Sequence, residues 1–382
     1  MTGRKNELAA EILSEVAQAL KTGGSGRKIS IGLSTVGSEI PVEDLVRGAK
    51  NAMGQDRDLE VVIIGDYQGG DLPVYEAHSD EEVAATLEDL LDRKILDGVV
   101  TMHYPFPIGV STVGKVITPA RGKQMYIATT TGTTATDRVQ AMVKNAVYGI
   151  AVARAEGIEN PSVGILNVEG ARQVERHLNS MQEKGYKFKW GSSQRSDGGH
   201  VLRGNDLIMG SVDVLVTDTL TGNILMKLFS SFNSGGNYET AGFGYGPGIG
   251  EDFDRLILIL SRASGTPVVS GAIQYAASMV RGRIQKVKAD EINKAKQAGW
   301  TVETAKPAQE TAGQEVSPPP EKVVDSQIPG IDILELEDAV KVLWKEKIFA
   351  SSGMGCTGPV ILTASEDHDK AIEILKNNGY LG

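Results

Sequence analysis

Short, almost wholly apolar runs alternate along this chain with longer stretches of helical period, and that alternation limits the architecture more than any other feature. KISIGLS (28–34), LEVVIIG (59–65), DGVVTM (97–102), QMYIAT (124–129), SVGILNV (162–168) and VDVLVT (212–217) read as strands. Stretches 6–21, 43–54, 137–156 and 170–185 carry apolar residues at three- and four-residue intervals and read as helices. Another helix opens at Ser79-Asp80-Glu81-Glu82, where a capping oxygen precedes carboxylates that complement the helix dipole. Strands without a polar face, separated by helices, call for a mostly parallel sheet covered on both sides. The expected fold class is therefore α/β, with three layers in the order α/β/α. Ligands of such sheets bind beyond the carboxyl ends of the strands. That rule directs attention to the loops at 33–37, 103–109, 129–136, 167–170 and 218–223.

Composition mainly excludes. The 382 residues carry a net charge of −10 and no basic block, which argues against nucleic acid or an anionic membrane as partner. No apolar run reaches the ~18 residues of a membrane-spanning helix, and the N-terminus mixes charged with apolar residues, unlike a signal peptide. The single cysteine, Cys356, can form neither an internal disulfide nor a CxxC metal site. The chain reads as cytoplasmic, with no bound metal or cofactor expected.

Residues 301–328 (TVETAKPAQETAGQEVSPPPEKVVDSQI) are poor in large apolar side chains, and Pro318-Pro319-Pro320 cannot continue a helix or an interior strand. They read as a linker between a body, 1–300, and a cysteine-bearing segment, 329–382. A flexible linker of that length spans about 30 Å root-mean-square. Beyond it a helix (334–346), a loop (351–359), a strand (360–364) and a second helix (366–378) are expected. So few residues bury little surface alone, so this tail is expected to dock on the body or on another chain.

Two segments carry chemistry. In SSGMGCTGP (351–359) three glycines surround the only thiol. Consecutive backbone N–H groups in such a turn, including those of Gly355 and Thr357, can form a nest that favours negative charge. A nest would lower the thiol pKa from about 8.5 and stabilise charge developing on a thioester oxygen. The plain alternative is a small buried side chain in a tight turn. In DVLVTDTLTGN (213–223) a buried strand runs into hydroxyls and a glycine before an apolar helix, 224–232. Thr219, Thr221 and the N–H groups of Gly222 and Asn223 can bind phosphate or an acyl carbonyl, with Asp218 holding the turn or handling a proton. The alternative here is an ordinary helix cap with solvated threonines. His103, in HYPFP, either lines a pocket or belongs to a rigid connecting loop. GFGYGPGIG (242–250) lacks the spacing of a dinucleotide fingerprint and reads as a flexible lining loop.

VGILNVEG (163–170) and VLRGNDLIMGSVDVLVTDTLTGNILMKL (201–228) resemble the central signature of acyl-carrier-protein:phosphate acyltransferases. Those enzymes exchange a thioester for an acyl phosphate and share their fold with phosphate acetyltransferases and isocitrate dehydrogenases. The family's aspartate, threonine, glycine and asparagine map onto Asp218, Thr221, Gly222 and Asn223. The family's His-Gly turn is replaced by Ser261-Arg262-Ala263-Ser264-Gly265, and Ala171-Arg172-Gln173 stand where it has a lysine. SSGMGCTGPVILTASEDHDKA (351–371) resembles the alpha subunits of component C of glycine/sarcosine/betaine reductase complexes, and that likeness extends over the whole chain. The resemblance implies an acetyl group carried as a thioester on Cys356 and removed by inorganic phosphate, a co-substrate, as acetyl phosphate. It also implies the beta subunit of component C and the complex's selenoprotein A as partners, with a homo-oligomer possible. Two alternatives remain open: a free-standing phosphate acyltransferase using a carrier or coenzyme A thioester, and a non-catalytic scaffold subunit.

Overall fold

The computed structural model describes residues 27–195, 198–301, 317–331, 335–355 and 358–381. The body's strands are β1 (Ile29–Ser34), β2 (Leu59–Ile64), β3 (Val74–Tyr75), β4 (Gly98–Thr101), β5 (Ser111–Ile117) and β6 (Gln124–Gly132). They continue with β7 (Ser162–Leu166), β8 (Lys189–Trp190), β9 (Val201–Leu202), β10 (Val214–Val216), β11 (Gly246–Ile249) and β12 (Ile257–Ile259). All lie in one sheet ordered β3-β2-β1-β4-β12-β11-β5-β6-β10-β7-β8, with β9 also paired to β7. The apolar strands found from sequence, joined by β12, which the sequence does not reveal, form two parallel blocks: β2, β1, β4 and β12 on one side, β6, β10 and β7 on the other.

Between the blocks lie β11 and β5, antiparallel to each other and to their outer neighbours. Those reversals turn the second block against the first, so the carboxyl ends of the two blocks do not share one direction. Neither joining strand is evident in the sequence, and each has a physical reason. Gly246 in β11 sits at φ +86°, and a Cβ there would fall 1.7 Å from the Val113 carbonyl oxygen. The run 242–250, expected to be a loop, thus includes a strand whose glycines permit close backbone approach. β5 contains Lys115, which is buried because Glu156 accepts from its ammonium at 2.5 Å and the Phe243 ring centre lies 4.4 Å away.

Helices cover both faces. α1 (Val42–Gln55), α2 (Asp80–Asp92), α3 (Arg138–Ala155) and α4 (Ala171–Glu183) begin close to their expected positions. α5 (Gly204–Met209), α6 (Thr219–Ser231), α7 (Thr266–Arg281) and α8 (Ile284–Gln297) complete the body. α3 is buried on nearly every side, which explains its evenly apolar composition. α1, α3, α4, α7 and α8 share the largest core; α2 covers the other face of the first block, and α5 and α6 that of the second. The three-layer α/β/α arrangement follows.

The tail is a separate small unit. β13 (Ser326–Pro329), β14 (Ala350–Gly355) and β15 (Gly358–Thr363) form an antiparallel sheet ordered β13-β15-β14. α9 (Leu336–Lys345) and α10 (His368–Asn377) pack on it around Ile328, Leu343, Ile361 and Leu375. Two expectations are corrected here. The stretch 351–359 begins as a strand, not a loop, and the expected linker ends in β13 before 328. Small and polar residues hide both strands in the sequence. The tail rests on the body, where Arg176 of α4 donates to both carboxylate oxygens of Glu335 at 2.6 Å. The helix expected at 6–21 lies outside the described residues.

Candidate active site

β10 delivers Thr217 and Asp218 to the edge of the sheet, where Asp218 caps α6. Its Oδ1 accepts the Thr221 backbone N–H at 3.1 Å, and its Oδ2 accepts the Thr221 hydroxyl at 2.7 Å and the Arg138 guanidinium at 3.1 Å. The helix therefore begins at Thr219 instead of 224. As a result the Gly222 N–H donates within the chain, to the Asp218 carbonyl oxygen at 3.0 Å. Gly222 instead sets a packing distance. A Cβ there would lie 1.8 Å from the Thr129 carbonyl oxygen, so only glycine lets α6 approach β6 this closely. Two side chains pin the same contact. The Thr219 and Thr129 hydroxyls are 3.0 Å apart, and Asn223 Nδ2 donates to the Thr130 carbonyl oxygen at 3.0 Å.

Asn223 also faces a cavity of about 210 Å³ between the two blocks, lined further by Met102, Thr131, Tyr245, Ser261 and Arg262. At ~30 Å³ per water this is room for about seven waters, below the ~300 Å³ of a drug-sized site. It suits a small anion beside a short acyl group; a long chain would have to run out of it.

Arg262 is the charged side chain of the lining, and an ion pair stands behind its neighbour Ser261. Lys227, one helical turn beyond Asn223, donates to the Ser261 hydroxyl at 2.7 Å and pairs with Glu239 at 2.8 Å. Glu239 is buried and also accepts from the Ser264 hydroxyl at 2.8 Å and the Tyr245 hydroxyl at 3.1 Å. Burial first, and then this carboxylate, push the Tyr245 hydroxyl well above its ordinary pKa, so it remains a donor. Arg262 stands half exposed with Asp80 at 3.6 Å, longer than a direct hydrogen bond. Its carbonyl accepts from the Glu39 N–H at 2.8 Å, which fixes the turn.

Of the residues expected at the site, Asn223 lines this cavity, while Asp218, Thr219, Thr221 and Gly222 build the helix start behind it. His103 is exposed; its neighbour Met102 supplies the lining, and Tyr104 and Phe106 pack with Phe253 in an aromatic cluster. Gly355 ends β14, paired with Gly358 across the hairpin; Cys356 and Thr357 lie outside the described residues. Lys227, Glu239, Ser261 and Arg262 are site residues that the sequence alone does not single out. The one available signal is Ser261-Arg262 in place of a His-Gly turn.

The model of the family described as fatty acid synthesis protein matches residues 29–362, nearly the whole chain. The chain belongs to that family. Among its relatives, the glycine/sarcosine/betaine reductase complex component C subunit alpha of Peptoclostridium acidaminophilum is 49% identical, over 98% of each chain. A phosphate acyltransferase of Thermus thermophilus is 27% identical, over 52% of this chain and 70% of its own. A branched-chain phosphotransacylase from Enterococcus faecalis V583 superposes with a TM-score of 0.48 at 18% identity, over 66% of this chain and 99% of its own. Among the described residues no helix is long and apolar enough to cross a membrane.

Proposed function

We propose that this chain is the acetyl-transfer subunit of a glycine, sarcosine or betaine reductase complex. Cys356 carries an acetyl thioester, and phosphate removes the acetyl group as acetyl phosphate. The observation that carries this reading is the full-length 49% identity to a component C alpha subunit, joined to a small cavity whose lining includes Arg262, Ser261, Asn223 and Thr131.

Inorganic phosphate is placed in that cavity, with Arg262 as its charged donor and the Asn223 and Thr131 side chains as neutral partners. A phosphate oxygen attacks the thioester carbonyl and forms the new C–O bond. The electron pair moves to the carbonyl oxygen and returns as the C–S bond breaks. The sulfur leaves as the Cys356 thiolate, which takes up a proton from water, and acetyl phosphate departs. Because the phosphate dianion is nucleophilic and the thiolate is a good leaving group, no general base is required. Cationic donors contribute by stabilising the developing charge.

The beta subunit of component C is the proposed partner in forming the thioester, and selenoprotein A the source of its two-carbon unit. The tail is proposed to bring Cys356 to the cavity. Phosphorolysis of an acetyl thioester by the wild-type chain and by Cys356→Ser, alongside the companion subunits, tests the reading. Loss of acetyl phosphate in the variant is expected. Full activity in the variant would favour direct use of a carrier or coenzyme A thioester.

A further inference from the structure

At the amino ends of the first block's strands lies a cavity of about 620 Å³, about three times the volume of the candidate site. The end of α2, the turn between α7 and α8, and the approaches to β1, β4 and β12 bound it. Its apolar wall is aliphatic, formed by Leu91, Leu96, Leu256, Met279, Val280 and Ile284.

Its charges do not balance. Each acid of the wall is already matched. Asp92 accepts from Arg255 at 2.8 and 3.0 Å, and Asp254 accepts from Lys288 at 3.2 Å. Asp97 accepts the Ser30 N–H at 2.9 Å and has Arg27 at 3.4 Å. Lys94, Arg283 and Lys286 line the same cavity, and among the described residues their side chains have neither a hydrogen bond nor an ion pair. Lys94 and Arg283 also hold φ at +57° and +51°, a conformation that side chains with a Cβ seldom adopt. α8 starts beside them at Ile284 and adds the positive end of its dipole. In a chain of net charge −10, this local surplus calls for an acidic occupant with an aliphatic side.

The chain itself carries such a surface. In 6–21, read from the sequence as a helix, Glu7, Glu11 and Glu15 form one row at every fourth position. Leu8, Ile12, Val16 and Leu20 form the adjoining row. A lone helix of that length is marginal in water, so it needs a surface to cover. Residues 22–26 join it to Arg27, and five residues reach no further than about 18 Å. Arg27 belongs to the cavity wall, where it donates to the Lys94 carbonyl oxygen at 2.9 Å. The segment is therefore tethered at the mouth of the cavity.

We propose that 6–21 docks here as an amphipathic helix. Its aliphatic row lies against Leu91, Leu256 and Ile284, and its carboxylates meet Lys94, Arg283 and Lys286. The match to the family begins at residue 29, so the segment is laid onto the shared fold from outside it. β4 and β12 lead from this cavity, at Asp97 and Leu256, to the candidate site, at Met102 and Ser261. The docked helix thus braces the two strands that carry the site, from their opposite end. The inference does not rest on chemistry at Cys356.

Hydrogen exchange of the full chain, read by mass spectrometry, tests it. Amides of 6–21 are expected to exchange on the order of tenfold or more slower than in an unstructured peptide. Lys94→Glu, Arg283→Glu and Lys286→Glu together should speed that exchange about tenfold, the scale of three ion pairs at a rim. Adding Glu7→Lys, Glu11→Lys and Glu15→Lys to that protein should restore the protection. The three cations have no partner among the described residues, so reversing them leaves the body folded. Ile12→Asp, placed on the segment instead of the body, should give the same loss from the other side. A wild-type segment exchanging at the unstructured rate overturns the proposal, as does protection that survives the triple reversal or Ile12→Asp. Protection that appears only when a companion subunit is added overturns it as well.

Discussion

Residues 218–223, after β10 in the second block, look suited to an anion in sequence, whereas 261–262, after β12 in the first block, do not, and their structures differ. At 218–223 the hydroxyls and the helix start face one another: Asp218 holds the Thr221 N–H, the Thr221 hydroxyl and the Arg138 guanidinium. At 261–262 a serine and an arginine follow β12 and face a cavity, with Lys227 beside them and a buried carboxylate behind. A carboxylate cap satisfies the first turn of a helix that would otherwise attract an anion. The first corner has its Asp218 engaged within the fold, and the second is where the ligand is proposed to sit.

Substitutions can sharpen or break that contrast. The largest effect is expected for Arg262→Ala, which removes the cavity's charged donor. Acetyl phosphate formation should fall by about 10²–10³-fold, with weaker phosphate dependence, and Arg262→Lys should recover part of the loss. An unchanged rate would erase the distinction. Gly222→Ala should come next, as a stability change instead of a ligand effect. With the Thr129 carbonyl oxygen 1.8 Å from the added Cβ, a loss of ~3 kcal/mol in denaturant unfolding is expected, near the upper end of overpacking costs.

Glu239→Gln keeps the shape but removes the partner of Lys227. Since that ammonium is half exposed, a cost of only about 1–2 kcal/mol is expected, together with roughly tenfold slower turnover as Lys227 loses its fixed position. The smallest change belongs to Thr221→Val. It loses one hydroxyl bond to Asp218, about 1 kcal/mol in thermal unfolding, and leaves the phosphate KM nearly unchanged. A large rise in that KM would move the anion back to the helix start.

The contrast also shows what can be read from residues alone. Strands such as LEVVIIG and helices such as 137–156 are legible because both of their sides are buried, so their apolar character is continuous. β5 and β11 are not: one hides a lysine that Glu156 and the Phe243 ring make acceptable, and the other is half glycine. With those two strands hidden, the reversal of the second block is hidden too, and with it the cavity between the blocks. Asp218, Thr221 and Asn223 stand out because polar side chains and a glycine directly follow an apolar strand. Glu239 and Lys227 do not, since a charged residue in a polar stretch is uninformative until its distant partners are known.

The central claim concerns Cys356, and mass spectrometry of the chain isolated during turnover with its companion subunits tests it most directly. The account predicts one acetyl group on a peptide containing Cys356, lost on addition of phosphate in step with the appearance of acetyl phosphate. Acetyl phosphate produced at full rate while Cys356 stays unmodified would contradict it.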